Sequence, residues 1–177
     1  MGFEDIKYDD FTEGMKTVFN NEMGKISPKK SIDIFNNYVL LLRGEMLQKN
    51  ADEGQAFLEK NKENPKITEL ESGLQYEILE EGKGGKPGPT SQVTVHYHGT
   101  LIDGTVFDSS VQRGAPATFG VNQVIRGWTE ALQLMSEGAK YRLSIPQELA
   151  YGANPHPGGA IQPYAALIFD VELISIA

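Results

Sequence analysis

Two rhythms of apolar and polar residues run along this chain, and they change over near residue 70. Before that point apolar residues return every three or four positions. Tyr8, Phe11, Met15 and Val18 form one such stripe, with Phe19 beside it, and Asp9 and Asp10 lie where the positive end of a helix dipole favours them. The spacing predicts a short helix over about 8–20, broken by Asn20-Asn21 through Gly24. Ser27-Pro28 then reads as a helix start, with Ser as N-cap and Pro at the first helical position. From there Ile32, Phe35, Val39, Leu42 and Met46 recur at three, four, three and four, a heptad-like stripe suited to packing on another helix. After Met46 the stripe fades into Lys49, Asn50, Asp52 and Glu53, yet helix-favouring residues continue to about Asn61, before Asn64-Pro65. The pattern predicts one long helix over about 28–61, on the order of 50 Å at 1.5 Å per residue. Its second half, polar all round, is expected to cross solvent between domains. Two helices bury little by themselves. The stripe is therefore expected to pack on the short helix, or to meet a second chain as well.

Beyond residue 70 the period drops to two. Leu74, Tyr76 and Ile78 alternate with Gln75 and Glu77; Val93, Val95 and Tyr97 with Thr94, His96 and His98; Tyr141, Leu143 and Ile145 with Arg142 and Ser144. Each reads as a half-buried strand with one wet face. The last strand, 166–176, puts Leu167, Phe169, Val171 and Leu173 on one face and Asp170 and Glu172 on the other, with Ile168 and Ile174. Gly82 to Pro89 is a loop, and Asp103-Gly104 is a hairpin-turn signal. Trp128, Leu132 and Met135 share the face of one short helix. Several strands with one helix predict an α+β fold, an antiparallel sheet wrapped around that helix. A helical region over 1–70 precedes it, and the sheet domain occupies 71–177.

Composition narrows the chemistry. The chain has 177 residues and a net charge of −8, which disfavours nucleic acid as a partner because phosphate binding needs a basic surface. It has no cysteine, so thiol catalysis, disulfides and Cys-based zinc sites are excluded together. No apolar run approaches the roughly 18 residues of a membrane span. Met1-Gly2-Phe3-Glu4-Asp5 shows no signal-peptide pattern. His96 and His98 share a strand face with no third ligand at a recognisable spacing, so no metal site is expected. Neither a nucleophile beside a base nor a cofactor motif is visible. Aromatic and β-branched residues with one carboxylate recur instead in four places: Val95-His96-Tyr97-His98-Gly99-Thr100, Phe107-Asp108-Ser109-Ser110, Val124-Ile125-Arg126-Gly127-Trp128 and Ala150-Tyr151-Gly152. Taken singly, the rings are ordinary core residues, Asp108 a turn residue and Arg113 a surface charge. Together they describe a pocket that holds a substrate by its apolar side and works without proton transfer.

With Leu167-Ile168-Phe169-Asp170-Val171-Glu172-Leu173, these four pieces resemble, in order, the FKBP family of peptidyl-prolyl cis-trans isomerases, from about Gly73 to the C-terminus. Gly54-Gln55-Ala56-Phe57-Leu58 and Ser72-Gly73-Leu74-Gln75-Tyr76 are similar to the bacterial subgroup typified by macrophage infectivity potentiator. The resemblance implies isomerisation of Xaa-Pro bonds without a cofactor, in the service of protein folding. The alternative is a chaperone or a proline-segment binding module with little turnover. It implies Trp128 under the prolyl ring, with Tyr97, Phe107, Val124, Ile125 and Phe169 around it, and Phe119 and Ile161 as further lining. Asp108 would hydrogen-bond Tyr97 and pair with Arg113. The Ile125 N–H and the Tyr151 hydroxyl would anchor the substrate backbone, and His156 would sit on the rim. Unfolded or partly folded proteins are the implied partners, with a macrolide of the tacrolimus type as a possible ligand. A homodimer through the N-terminal helices is implied too, weakened if a helix upstream is missing. The resemblance favours the bacterial periplasm or envelope; the lack of a signal peptide favours the cytoplasm.

Three departures from the family pattern stand out. Ala117 replaces a wall residue that is often aromatic, the stretch from Phe119 to Val124 is short, and Ile161-Gln162-Pro163-Tyr164 replaces the commoner Ile-Pro-Pro run. They bear on macrolide affinity and on the preferred residue before proline.

Overall fold

The computed structural model describes residues 28–177, together with Thr12, Lys16 and Asn20. The short helix expected over 8–20 lies outside the described residues except at those three positions. Thr12 and Lys16 are helical, and the Asn20 N–H donates to the Lys16 carbonyl at 2.9 Å. The chain divides into two compact units, 1–45 and 46–177. In the first, the described residues open the long helix α1 (Pro28–Asn61). Ile32, Ile34, Phe35, Tyr38, Leu40 and Leu41 stand exposed along it.

The second unit is an antiparallel sheet of seven strands: β1 (Ile67–Glu69), β2 (Gln75–Glu80), β3 (Gln92–Leu101), β4 (Val106–Ser109), β5 (Ala117–Gly120), β6 (Lys140–Ile145) and β7 (Leu167–Ile176). Their spatial order is β1-β2-β6-β7-β3-β4, with β5 also paired to β3. Helix α2 (Ser110–Arg113) follows β4, and α3 (Arg126–Leu132) packs its Trp128, Ala131 and Leu132 into the core. Alternation does the sorting, as expected of a sheet with one wet face. Val93, Val95 and Tyr97 of β3 are buried with Leu143 and Ile145 of β6 and Leu167, Phe169, Val171 and Leu173 of β7. On the opposite face Arg142 of β6 grips Asp170 of β7 through two hydrogen bonds, at 2.6 and 2.7 Å.

The second half of α1 does not cross solvent. Within the second unit it lies on the sheet, and small and polar residues make the contact, which is why hydropathy misses it. Gly54 is buried, and a Cβ there would meet the Ala166 Cβ at 3.1 Å, so a side chain at 54 would make the helix or the chain at Ala166 give by a few tenths of an ångström. Leu58 is buried beside it. The fully buried Gln75 satisfies its amide on the same helix: Nε2 donates to the Leu58 carbonyl at 2.9 Å, and Oε1 accepts from Asn61 Nδ2 at 2.9 Å. The Leu58 carbonyl belongs to the last turn and also accepts the Lys62 N–H at 3.3 Å, so Gln75 shares this acceptor with the backbone. Asn61 also reaches Ser144 Oγ of β6 at 3.3 Å.

This seam carries a stability test. Asn61→Ala leaves the buried Gln75 oxygen without its donor, which costs about 1–3 kcal/mol. Trp128 is the single tryptophan, so its fluorescence in urea reports the sheet unit. The midpoint is expected to fall, and Asn61→Ala combined with Gln75→Leu to recover much of the loss.

Candidate active site

The site forms where the core reaches the surface. On β3, Tyr97 and Gly99 point inward, and on β7 Phe169 lies directly opposite Gly99 in the ladder. A Cβ at Gly99 would come within 2.7 Å of the Phe107 ring and 2.8 Å of the Phe169 ring. Only glycine leaves room for both rings to meet edge to face, with centroids 5.3 Å apart. Trp128, raised into the same space by α3, stands nearly perpendicular to three rings: Tyr97 at 5.3 Å, Phe169 at 5.2 Å and Phe119 of β5 at 5.9 Å. It is 4% exposed, and its indole N–H has no acceptor among the described residues.

One polar cluster borders this slot. The Tyr97 hydroxyl donates to Asp108 Oδ2 at 2.6 Å and accepts from Arg113 Nη2 at 2.7 Å. Arg113 also pairs with Asp108, and its guanidinium carbon lies 5.5 Å from the Tyr97 ring centroid. Burial and the hydrogen bond to Asp108 push the Tyr97 hydroxyl above its ordinary pKa, so it stays protonated. Burial acts against the Asp108 carboxylate, but hydrogen bonds from Tyr97 and Arg113 outweigh it and hold the pKa below the usual range. Burial first, then the charge of Asp108, raises Tyr151, which is 42% exposed on the loop after the 147–149 turn.

Two serines set this geometry. Ser109 caps α2 by accepting the Gln112 N–H at 3.2 Å, which turns the chain so that Arg113 comes back over Asp108. Ser110 is fully buried and its Oγ accepts the Tyr97 N–H at 2.7 Å. His96 and His98, on the far face of β3, meet these same hydroxyls through Nδ1 at 3.1 and 3.0 Å.

The structure therefore brings together Tyr97, Phe107, Asp108, Arg113, Phe119, Trp128 and Phe169. Val124, Ile125 and Ile161 are half-buried against the same core. The Ile125 carbonyl accepts the N–H groups of Trp128 and Thr129, while its own N–H finds no acceptor among the described residues. His156 is exposed in the loop and joins none of the ring contacts. The roles of Ser109, Ser110 and Gly99 went unread in the sequence. The Ser-Ser pair beside Asp108 was the available signal, since serine is a preferred N-cap. Among the described residues no group of three or more His, Asp or Glu is placed to hold a metal, and no helix is long and apolar enough to cross a membrane. Two clefts of about 200 and 180 Å³ lie elsewhere, between the second half of α1 and the 146–148 and 101–103 segments. Asp52, Gln55 and Glu148 line the first with a single aromatic ring, Tyr164, and the second mixes Asn50, Glu53 and Asp103 with Leu101 and Ile102, so neither has the cluster of rings that makes the slot a candidate for apolar substrates.

Comparison with known proteins places this geometry in context. Residues 83–174 match the family model for FKBP-type peptidyl-prolyl cis-trans isomerase, and residues 1–78 match the model for the domain amino-terminal to it. The chain is similar to the outer membrane protein MIP of Legionella longbeachae, at 44% identity over 97% of this chain and 76% of that protein. It is similar to the FKBP-type 22 kDa peptidyl-prolyl cis-trans isomerase of Escherichia coli, at 51% identity over 76% of this chain and 65% of that one. The crystal structure of FkpA from Escherichia coli superposes with a TM-score of 0.80 at 34% identity, covering 97% of this chain and 82% of that one.

The packing at Gly99 generates a direct test. Gly99→Ala forces the Phe107 and Phe169 rings apart, an overpacking that costs about 1–3 kcal/mol. The near-ultraviolet circular dichroism of the aromatic cluster is expected to collapse while the far-ultraviolet signal of the sheet persists.

Proposed function

The chain belongs to the family of FKBP-type peptidyl-prolyl cis-trans isomerases, which turn the peptide bond before proline between cis and trans, and we propose that it does so in the aromatic slot around Trp128. The single observation that carries this is the edge-to-face enclosure of Trp128 by Tyr97, Phe119 and Phe169, which offers a flat apolar floor for a prolyl ring.

The physical reason is the nature of the barrier. Rotation about an amide costs about 18–20 kcal/mol because it breaks resonance. The planar ground state is polarised and well hydrated; the twisted state has lost that polarity. Moving the bond from water into an apolar slot therefore favours the twisted state relative to the planar one. No proton moves and no cofactor is needed. In this reading Trp128, Tyr97, Phe107 and Phe169 hold the ring, with Val124, Phe119 and Ile161 as walls. Asp108, fixed by Arg113, locks the Tyr97 ring in place. The unpaired Ile125 N–H and the Tyr151 hydroxyl take the substrate's carbonyls, and His156 marks the rim. Xaa-Pro segments of unfolded or partly folded proteins are the substrates, and a macrolide of the tacrolimus type would occupy the same slot.

For the domains we propose a dimerisation and stalk region over 1–70 and the isomerase domain over 71–177, with the docked half of α1 braced on the latter. Support for a homodimer is the row of exposed Ile32, Phe35, Val39 and Met46 on α1 at heptad-like spacing. That apolar face also favours a second reading, in which the N-terminal region holds unfolded clients with little turnover.

A protease-coupled assay with a proline tetrapeptide tests the catalytic reading. Asp108→Ala is expected to lower kcat/KM by about 10- to 100-fold, since a charged hydrogen-bond partner is lost, and Tyr151→Phe by about three- to tenfold. No acceleration by the intact chain, or full activity in the doubly substituted one, would overturn it. The pH profile follows from the signs above. The carboxylate's pKa is lowered on folding, so the stabilisation from its pairing is complete above the unfolded value and is lost as pH falls through the folded one. Activity is expected to be flat from about pH 5 to 9, and to fall only below about pH 4. Light scattering tests the dimer: Phe35→Glu with Val39→Glu is expected to halve the mass and leave peptide turnover intact.

A further inference from the structure

The loop that carries Tyr151 has few holds of its own. Residues 153–160 are mostly exposed. Its entry is pinned by the Gly152 N–H donating to the Gln147 carbonyl at 3.0 Å. Its exit is pinned by the Tyr164 N–H donating back to the Gly152 carbonyl at 2.8 Å. To make that bond Tyr164 adopts a φ of 62°, the one positive φ of a non-glycine among the described residues. Such a conformation persists only where the surroundings over-determine it. The residue before it supplies the missing constraint: Asn50 Nδ2 of α1 donates to the Pro163 carbonyl at 3.1 Å. One helical turn on, Gly54 lets α1 lie close enough against Ala166 for that bond to form.

We propose that Asn50 is a positioning residue for the isomerase reaction. It acts through Pro163, Tyr164 and Gly152 to hold Tyr151 at the edge of the slot. Asn50 is not part of the ring cluster, and its side-chain hydrogen bond goes to the loop, so the loop is its route to the substrate. This rests on the reading of Tyr151 as a substrate anchor. The helix thereby acts on catalysis as well as on stability: where it is seated, the rim is held.

The test separates a donor from a mere filler. Asn50→Asp keeps the shape but turns an oxygen toward the Pro163 carbonyl, while Asn50→Ala only deletes the bond. Asn50→Asp is expected to lower kcat/KM by about three- to tenfold, through KM rather than kcat, and Asn50→Ala by less. The amide resonance of Gly152 is expected to shift in both variants. If the route runs through Tyr151, then Asn50→Asp in a Tyr151→Phe background removes little beyond Tyr151→Phe alone. An unchanged kcat/KM in Asn50→Asp would overturn the inference, as would losses that multiply in the double variant. So would a loss shared equally by Asn50→Asp and Asn50→Ala that merely tracks a lower melting temperature. A silent Tyr151→Phe would count against the anchor itself. A costly Tyr151→Phe with a silent Asn50→Asp would overturn only the role of Asn50.

Discussion

The antiparallel pairing of β3 with β7 is the constraint on which the pocket depends. It runs from Val93 opposite Ile176 to Leu101 opposite Leu167, with one irregularity between Thr94 and Val95. In this register Gly99 faces Phe169 and Tyr97 faces Val171. A slip of one residue would turn Tyr97 to the wet face and bring His96 or His98 into the core. The glycine matters as much as the rings, because its missing Cβ is the space that Phe107 and Phe169 share. Strand pairing thus places the aromatic walls before any substrate arrives. That is preorganisation, and the folding of the sheet supplies it.

Placing a site inside the core has a chemical consequence. The slot's walls are the same Tyr97, Trp128 and Phe169 that close the hydrophobic cluster of the sheet. A site made this way cannot be built from free charges, since an unpaired buried charge is costly. Its one carboxylate, Asp108, is half-buried and tied on two sides, by Tyr97 and Arg113. It is held ionised and engaged, which suits a brace better than a proton carrier. A reaction whose barrier is lost resonance is served by such a site, whereas hydrolysis or group transfer would need a nucleophile or an acid that the slot does not offer.

Period-two alternation made β2, β3, β6 and β7 legible, and the heptad-like stripe made α1 legible, because both report large apolar side chains. The ring residues of the slot could be named from the sequence only through ordered motifs, since each ring alone looks like core. What stayed hidden were contacts made by small or polar groups. Strands β1, β4 and β5 have three or four residues each, too few for a period to show. Ser109 and Ser110 fix the slot with hydroxyls that carry no hydropathy signal. Gly99 acts by what it lacks.

The second half of α1 shows the same blindness with a larger effect. Lys49, Asn50, Asp52 and Glu53 read as a solvated stalk, yet that stretch carries Asn50 to the Pro163 carbonyl, Gly54 to Ala166 and Asn61 to Gln75. Close approach replaces apolar bulk: where a glycine meets an alanine, backbones come near enough for side-chain amides to reach carbonyls and one another. A seam of this kind is specific in register, because amides and a glycine tolerate no sliding, but it buries little apolar surface per residue. It can fix a helix end and still leave little room at residue 54, where a Cβ would meet Ala166 at 3.1 Å. The 151–164 loop is tied to that seam at the Pro163 carbonyl, so on the proposed reading the helix that looked like a spacer also shapes the rim of the slot.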